Sequence, residues 1–271
     1  MKLLNEPSFS EIIQRTWELY RQNIKRLFII ALIVSVLYQL FIIFMQRSGM
    51  IDLIYQMMQE NAKGQDLSAF ADKVTSTMHL VIATGIVFYL VILPFATALF
   101  QNVVDESWQG RSQPITKHVQ FVLSRLIVIA IATLFVYLLL MLSVMVSSMI
   151  FGILGILVYA ALIIYIPLIL YDQKSAFSSI SESFKLTIGA YTKSLGIAFI
   201  CYILLNIPSI GEWLIQSATG TDNSLIFGID EVVTIFLSAF VWPLVAILKL
   251  ALYYALKARR YNLKVQNSNL N

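Results

Sequence analysis

The chain has 271 residues, of which 59% are hydrophobic and 13% charged, and its mean hydropathy is +0.79. A water-soluble domain carries about a quarter charged residues, so that class is excluded and an all-α polytopic membrane protein is expected. The net charge of +4 need not mark a nucleic-acid partner, because the basic residues cluster on one side of the predicted membrane, and a single cysteine, Cys201, excludes an intramolecular disulfide.

In chain order, Pro7-Ser8-Phe9-Ser10-Glu11 has the form of a helix start, with Ser8 as cap and Glu11 completing a capping box. The spacing predicts an interfacial helix over 8–24, with Phe9, Ile12, Ile13, Trp17, Tyr20 and Ile24 opposite Glu11, Arg15, Glu18, Arg21 and Gln22. The first membrane span follows over 27–45. It lacks a small-residue cleavage pattern and reads as a retained span rather than a signal peptide. A loop with helical patterns at Met50–Glu60 and Leu67–Met78 leads to a second span over 80–100, and a second interfacial helix is predicted over 114–125.

From Leu126 to Tyr171 the chain holds no charged side chain for forty-six residues. As one helix this run would measure about 69 Å, more than twice a hydrocarbon core of about 30 Å. It must fold back, and Ser147-Ser148-Met149-Ile150-Phe151-Gly152 is the expected turn between spans 126–146 and 153–171. A third interfacial helix is predicted over 175–193. A fifth span over 195–210 is cut short by Asn206, Pro208 and Gly211, with a bent continuation towards Gln216 as the alternative, and a sixth covers 232–254.

With these spans, sixteen of the nineteen lysines and arginines fall on the N-terminal side, leaving Arg47, Lys63 and Lys73 on the other. The positive-inside rule then places both termini in the cytoplasm. All three interfacial segments fall on that side. Each precedes a pair of spans whose second member has a proline in its inner half: Pro94, Pro167 and Pro243. Three repeated units of one surface helix and two spans are therefore expected.

Metal chemistry of the zinc type is not expected, because the only histidines, His79 and His118, fall on opposite sides. Neither a nucleophile elbow nor a phosphate-binding glycine loop occurs. Asp105 and Glu106 read as a solvated turn, and Asp230 and Glu231 as carboxylates favoured by a helix dipole. Cys201 reads as a small core hydrophobe. Lys249, between Leu248 and Leu250, either snorkels to the headgroups or pairs with Asp172 beyond the fourth span. Asn206 reads as a hydrogen-bonding link between helices. The prolines leave the carbonyls of Leu90, Ile163 and Ala239 without their usual donors, which is compatible either with a central cavity or with ordinary packing. Ser178–Ser183 reads as the polar face of the third surface helix.

The run Ile166-Pro167-Leu168-Ile169-Leu170-Tyr171-Asp172, then Ala176-Phe177-Ser178-Ser179-Ile180 and Ser183-Phe184-Lys185-Leu186-Thr187, resembles the YciC-like uncharacterised bacterial inner-membrane proteins. It is also similar to the membrane domain attached to some glycerophosphoryl diester phosphodiesterases, and Phe9 to Asn23, with Trp17, Leu19 and Tyr20, shares the look. The resemblance implies a six-helix inner-membrane fold without an assigned activity; the catalytic barrel of the phosphodiesterases is absent from this sequence. The expected role is non-catalytic, in membrane homeostasis or in binding lipid or a partner, with membrane lipids, other membrane proteins or a second copy as partners and no cofactor. The alternative is a small transporter or export component with a cytoplasm-facing cavity.

Overall fold

A computed structural model of the chain describes residues 7–48, 68–111, 113–147, 153–219 and 229–268. Among these residues all regular structure is helical: α1 (Phe9–Arg47), α2 (Ser68–Val87), a π-helical turn (Phe88–Ile92), α3 (Leu93–Trp108), α4 (Ile115–Leu123) and α5 (Leu126–Ser147), then α6 (Ile153–Leu162), α7 (Tyr165–Tyr171), α8 (Ala176–Ile188), α9 (Tyr191–Thr219) and α10 (Ile229–Ser268). Six of the resulting rods are long and apolar enough to cross a membrane: α1, α2 with α3, α5, α6 with α7, α9 and α10. The expected patterns over 50–60 and most of the turn over 147–152 lie outside the described residues.

The capping box forms, with the Glu11 N–H donating to Ser8 Oγ at 3.2 Å and the Ser8 N–H donating back to the Glu11 carboxylate. It does not start a separate surface helix. α1 runs unbroken for 39 residues, about 58 Å at ~1.5 Å per residue, and its first half packs by Ile12, Leu19 and Tyr20 into the core. The predicted interfacial helix over 8–24 is thus an extension of the first span, because its apolar stripe continues in register with Leu27 and Ala31. The other two interfacial segments are short separate helices, α4 and α8. The fifth span follows the longer alternative: α9 passes through Pro208 and ends at Thr219.

α10 lies at the centre. From Val245 to Leu256 every residue except Lys249 and Tyr254 is buried, and 61% of its most apolar window is buried, against 22–33% for the windows of α1, α2–α3, α5 and α9. Those outer helices turn large apolar side chains outward, among them Ile29, Leu80, Ile127, Met145, Phe199 and Trp213. That pattern suits a bundle whose solvent is hydrocarbon, where association depends on close packing and on interhelical hydrogen bonds.

Three of the prolines that predicted kinks are accommodated differently. Ahead of Pro94 the helix widens into the π-helical turn, in which the Leu93 N–H reaches Phe88 O, so the carbonyl facing the proline ring is accommodated without a break. Ahead of Pro167 the helix stops at Leu162 and restarts at Tyr165. Pro243 sits inside α10 without interrupting it. Hydroxyl groups of α8 cover the break ahead of Pro167: Ser183 Oγ and Thr187 Oγ1 donate to Ala161 O at 2.9 and 3.0 Å, and at the start of α9 Tyr191 OH donates to Leu157 O at 3.2 Å.

α8 therefore has the orientation opposite to a helix on a water-soluble protein. Ser179, Ser183 and Thr187 are buried, while Phe177, Phe184 and Ile188 are exposed. The serines expected to present a polar face outward point partly inward instead, because a broken helix in an apolar medium needs donors more than headgroups do. Replacing Ser183 by Ala and Thr187 by Val together should lower the stability of the detergent-solubilised protein by about 1–2 kcal/mol. Each single substitution should cost less than half of that, since the remaining hydroxyl still serves Ala161; thermal unfolding of the three variants checks it.

Candidate functional site

All six spans contribute to one central cavity of about 290 Å³, lined by Tyr38 of α1, Tyr89 of the π-helical turn, Pro94 of α3, Tyr137 of α5, Tyr165 and Ile166 of α7, Leu205 of α9, and Trp242 and Lys249 of α10. The π-helical turn and the α6–α7 break bring Tyr89 and Tyr165 to it. The wall is aromatic: the Tyr38 ring meets Trp242 edge-on at 5.4 Å, and Tyr89 meets Tyr137 edge-on at 6.4 Å. Tyr165 OH and Thr133 Oγ1 share a hydrogen bond of 2.8 Å. Among the described residues Lys249 is the only charged one of the lining, and its ammonium stands 5.4 Å from the centre of the Tyr159 ring, a cation–π distance. Beside it, Gln101 Nε2 donates to Ala246 O at 3.2 Å and ties α3 to α10.

A second polar cluster sits at the end of the bundle where α3, α4, α7, α8 and α10 meet. Asp172 accepts from Tyr253 OH and from Lys257 Nζ, both at 2.8 Å. Asp105 accepts from Tyr254 OH and, at 2.9 Å, from Gln109 Nε2. The rings of Tyr171, Tyr253 and Tyr254 lie between the two carboxylates, 5.2–6.3 Å apart. Trp108 packs on Tyr254 at 4.9 Å with the Arg15 guanidinium 5.1 Å from its ring, and Arg260 pairs with Glu182. Next to this cluster His118 of α4 holds Glu106 at 3.2 Å through Nε2 and Asn102 at 2.6 Å through Nδ1, while the Gln113 N–H donates to Glu106 at 3.1 Å.

Each residue singled out in the sequence has a definite place. Lys249 lines the cavity and does not pair with Asp172, whose cation is Lys257, two helical turns further on. The lysine beside the carboxylate is the one nearest the helix end, where an ion pair keeps partial contact with water. Asn206 does not link helices: its amide donates to Tyr202 O of its own helix at 2.7 Å. Asp105 and Glu106 are not a solvated turn but buried residues of α3, which runs on to Trp108. Asp230 and Glu231 occupy the first turn of α10, and Cys201 is fully buried. The tyrosine lining was not foreseen, though the spacing of Tyr253, Tyr254 and Lys257 on α10 contained a signal for the second cluster. Among the described residues no group of three or more His, Cys, Asp or Glu is placed to hold a metal ion.

Comparison with protein-family profiles, with curated proteins and with solved structures finds no match to this chain.

Two predictions follow from the polar cluster. Asp172 and Lys257 should be coupled by about 0.5–1 kcal/mol in a double-mutant cycle of thermal unfolding, a modest figure because Lys257 is 41% exposed. Asp172→Ala combined with Lys249→Ala should be additive.

The second concerns His118. Burial lowers the pKa of its imidazole below the ordinary value of 6.5; the positive charge of Arg26 acts in the same direction, and the Glu106 carboxylate and the Gln113 backbone oppose both. Nε2 faces the Glu106 carboxylate and Nδ1 faces the Asn102 side-chain oxygen, and burial favours the neutral ring over the imidazolium. With the folded pKa depressed, the unfolded chain binds the proton first. Stability is full above about pH 6.5 and is lost as pH falls through the folded-state value. The drop in melting temperature between pH 7.5 and 5 should be larger for the wild type than for His118→Gln.

Proposed function

We propose that this chain is a multi-pass protein of a bacterial inner membrane, with both termini in the cytoplasm, that binds an amphipathic membrane molecule and does not catalyse a reaction. One observation supports the reading above the others: six spans converge on a single cavity walled by aromatic rings and holding one cation. An apolar ligand with one anionic or strongly accepting group fits that lining, since the rings offer area and edge contacts and Lys249 offers three N–H donors. The half-buried ammonium has no carboxylate beside it in the described lining, and a ligand anion supplies one. The segregation of the basic residues supports the orientation, and reporter tags at both ends should read from the cytoplasm. The likeness of 166–187 to the YciC-like proteins agrees with the setting, and the three-unit repeat belongs to the same proposal.

A transporter is the second reading. The π-helical turn beside Pro94 and the break beside Pro167 both adjoin the cavity, and interrupted helices around a mid-bundle site are the usual means by which transporters form one. Against a charged cargo, the cavity contains Lys249 but neither Asp172 nor Asn206.

Native mass spectrometry of the detergent-extracted protein tests the leading reading. It should show one co-purified amphiphile retained after delipidation, and Lys249→Met should reduce its occupancy at least tenfold, the loss expected for a charge-assisted hydrogen bond of about 1.5–3 kcal/mol. Occupancy equal in wild type and variant, or only exchangeable bulk lipid in both, would refute the proposed ligand site.

A further inference from the structure

Beside the polar cluster, α8 and α10 enclose a groove of about 190 Å³ that the central cavity does not reach. Its lining has two kinds of residue: Lys185, Arg259 and Arg260, and Leu186, Leu256 and Leu263. Gly189 forms its floor. A Cβ built there would stand 3.8–4.0 Å from Cζ and both terminal nitrogens of Arg259, so the guanidinium packs over the bare backbone of Gly189. Arg260 has Glu182 as its carboxylate. Among the described residues neither Lys185 nor Arg259 has an ion-pair partner. A neighbouring recess on the other side of Arg260 adds Lys174 and the Lys257–Asp172 pair. Five cations thus face two carboxylates, Asp172 and Glu182, within two adjoining hollows.

Like charges gathered at an apolar groove repel one another and need an anion. The setting identifies which. On the flank of α8 next to Lys185, Phe177, Phe184 and Ile188 are exposed, and they are stable only against hydrocarbon. The groove therefore opens where apolar chains meet charged headgroups, a place where a soluble anion lacks partners for the leucines and a phospholipid satisfies both halves of the lining.

We propose that the α8–α10 groove binds the phosphate headgroup of an anionic membrane lipid, with Arg259 and Lys185 on the phosphate and Leu186, Leu256 and Leu263 against the glycerol and the first acyl methylenes. The planar guanidinium, held open by Gly189, presents paired N–H groups to two phosphate oxygens, and Lys185 adds a mobile point charge. This site is separate from the central cavity, and Lys249→Met leaves it intact.

The test uses the full chain in detergent, with phosphatidylglycerol or phosphatidylcholine added at equal concentration and bound lipid counted by native mass spectrometry. Phosphatidylglycerol should be retained at least tenfold over phosphatidylcholine. The double variant Lys185→Gln with Arg259→Gln should lose about 25-fold, from about fivefold, or roughly 1 kcal/mol, for each cation at a membrane surface. Arg259→Lys should fall between the two, because it keeps the charge and loses the paired geometry. Inorganic phosphate at millimolar concentration should not displace the lipid. Equal retention of the two lipids, unchanged retention in the double variant, or full displacement by inorganic phosphate would each overturn the proposal. Because Lys185 is exposed and Arg259 half-buried at the rim, the double variant should elute and melt like the wild type. Should it not, Lys185→Glu alone, at an exposed position, supplies the same comparison.

Discussion

A backbone carbonyl in hydrocarbon has no water to accept from, and the cost of leaving it alone is several kcal/mol. This constraint organises the molecule from Pro167 outward. The proline cannot donate, and its ring excludes the carbonyl four residues earlier, so the rod formed by α6 and α7 breaks between Leu162 and Tyr165. Ala161 O then accepts from Ser183 and Thr187, which fixes the rotation of α8 about its axis. Once those hydroxyls face inward, Phe177, Phe184 and Ile188 must face outward, and Lys185 and Glu182 are directed to the flank that meets α10. The ion pair of Glu182 with Arg260 and the groove over Gly189 are consequences of how one broken helix satisfies its backbone.

The same logic separates the bundle into zones. Where the helices are continuous, as in α5 and the outer half of α10, large apolar side chains face outward, among them Ile127, Leu138, Met145, Val232 and Phe236. Near Pro94 and Pro167, where the ladder is interrupted, the neighbours are tyrosines and a lysine, and the packing leaves a cavity. Towards the ends of α3 and α7, carboxylates appear: Asp105 and Asp172 are each held by a tyrosine and a further donor, and Glu106 by His118 and the Gln113 N–H. Asp105 and Asp172 can be buried because phenols supply hydrogen bonds without adding charge, while Lys257 neutralises the more exposed of the two. A single lysine placed among rings, with no acid beside it, is the exception to this pairing, and it makes the cavity distinct from ordinary core.

The six spans were legible because a charge-free run longer than a bilayer leaves few alternatives, and the capping box at Ser8 because it needs only four residues. The break at Pro167 was not, since local sequence assigned Pro94, Pro167 and Pro243 the same expected kink and only the rod holding Pro167 stops and restarts. Nor was the rotation of α8. Periodicity places Ser179, Ser183 and Thr187 on one stripe and the phenylalanines on another, but it does not say which stripe meets protein when the surrounding solvent is itself apolar. Nor could spacing separate Lys249 from Lys257 as the partner of Asp172, since the choice depends on how far α7 extends past its break. Asn206 misled because an amide in a span has two ways to satisfy itself, and the carbonyl of Tyr202, one turn away, required no second helix.

α7 and α10 together connect the cavity to the charged end without any loop. α10 carries Trp242 and Lys249 in the cavity wall, then Tyr253, Tyr254 and Lys257 in the carboxylate cluster, then Arg259 and Arg260 at the groove. α7 carries Tyr165 in the wall and Tyr171 at the cluster, with Asp172 as its cap. From Lys249 to Lys257 is about 12 Å along one helix at ~1.5 Å per residue, and that stretch is almost wholly buried, so it moves as a rigid piece. A shift of α10 that lets Lys249 follow a ligand must therefore also displace the contacts of Tyr253 and Lys257 with Asp172, or take α7 with it. The two ends of α7 are held by different partners: Asp172 at its C-terminal end accepts from Tyr253 and Lys257 of α10, and Ala161 ahead of its N-terminal end accepts from Ser183 and Thr187 of α8.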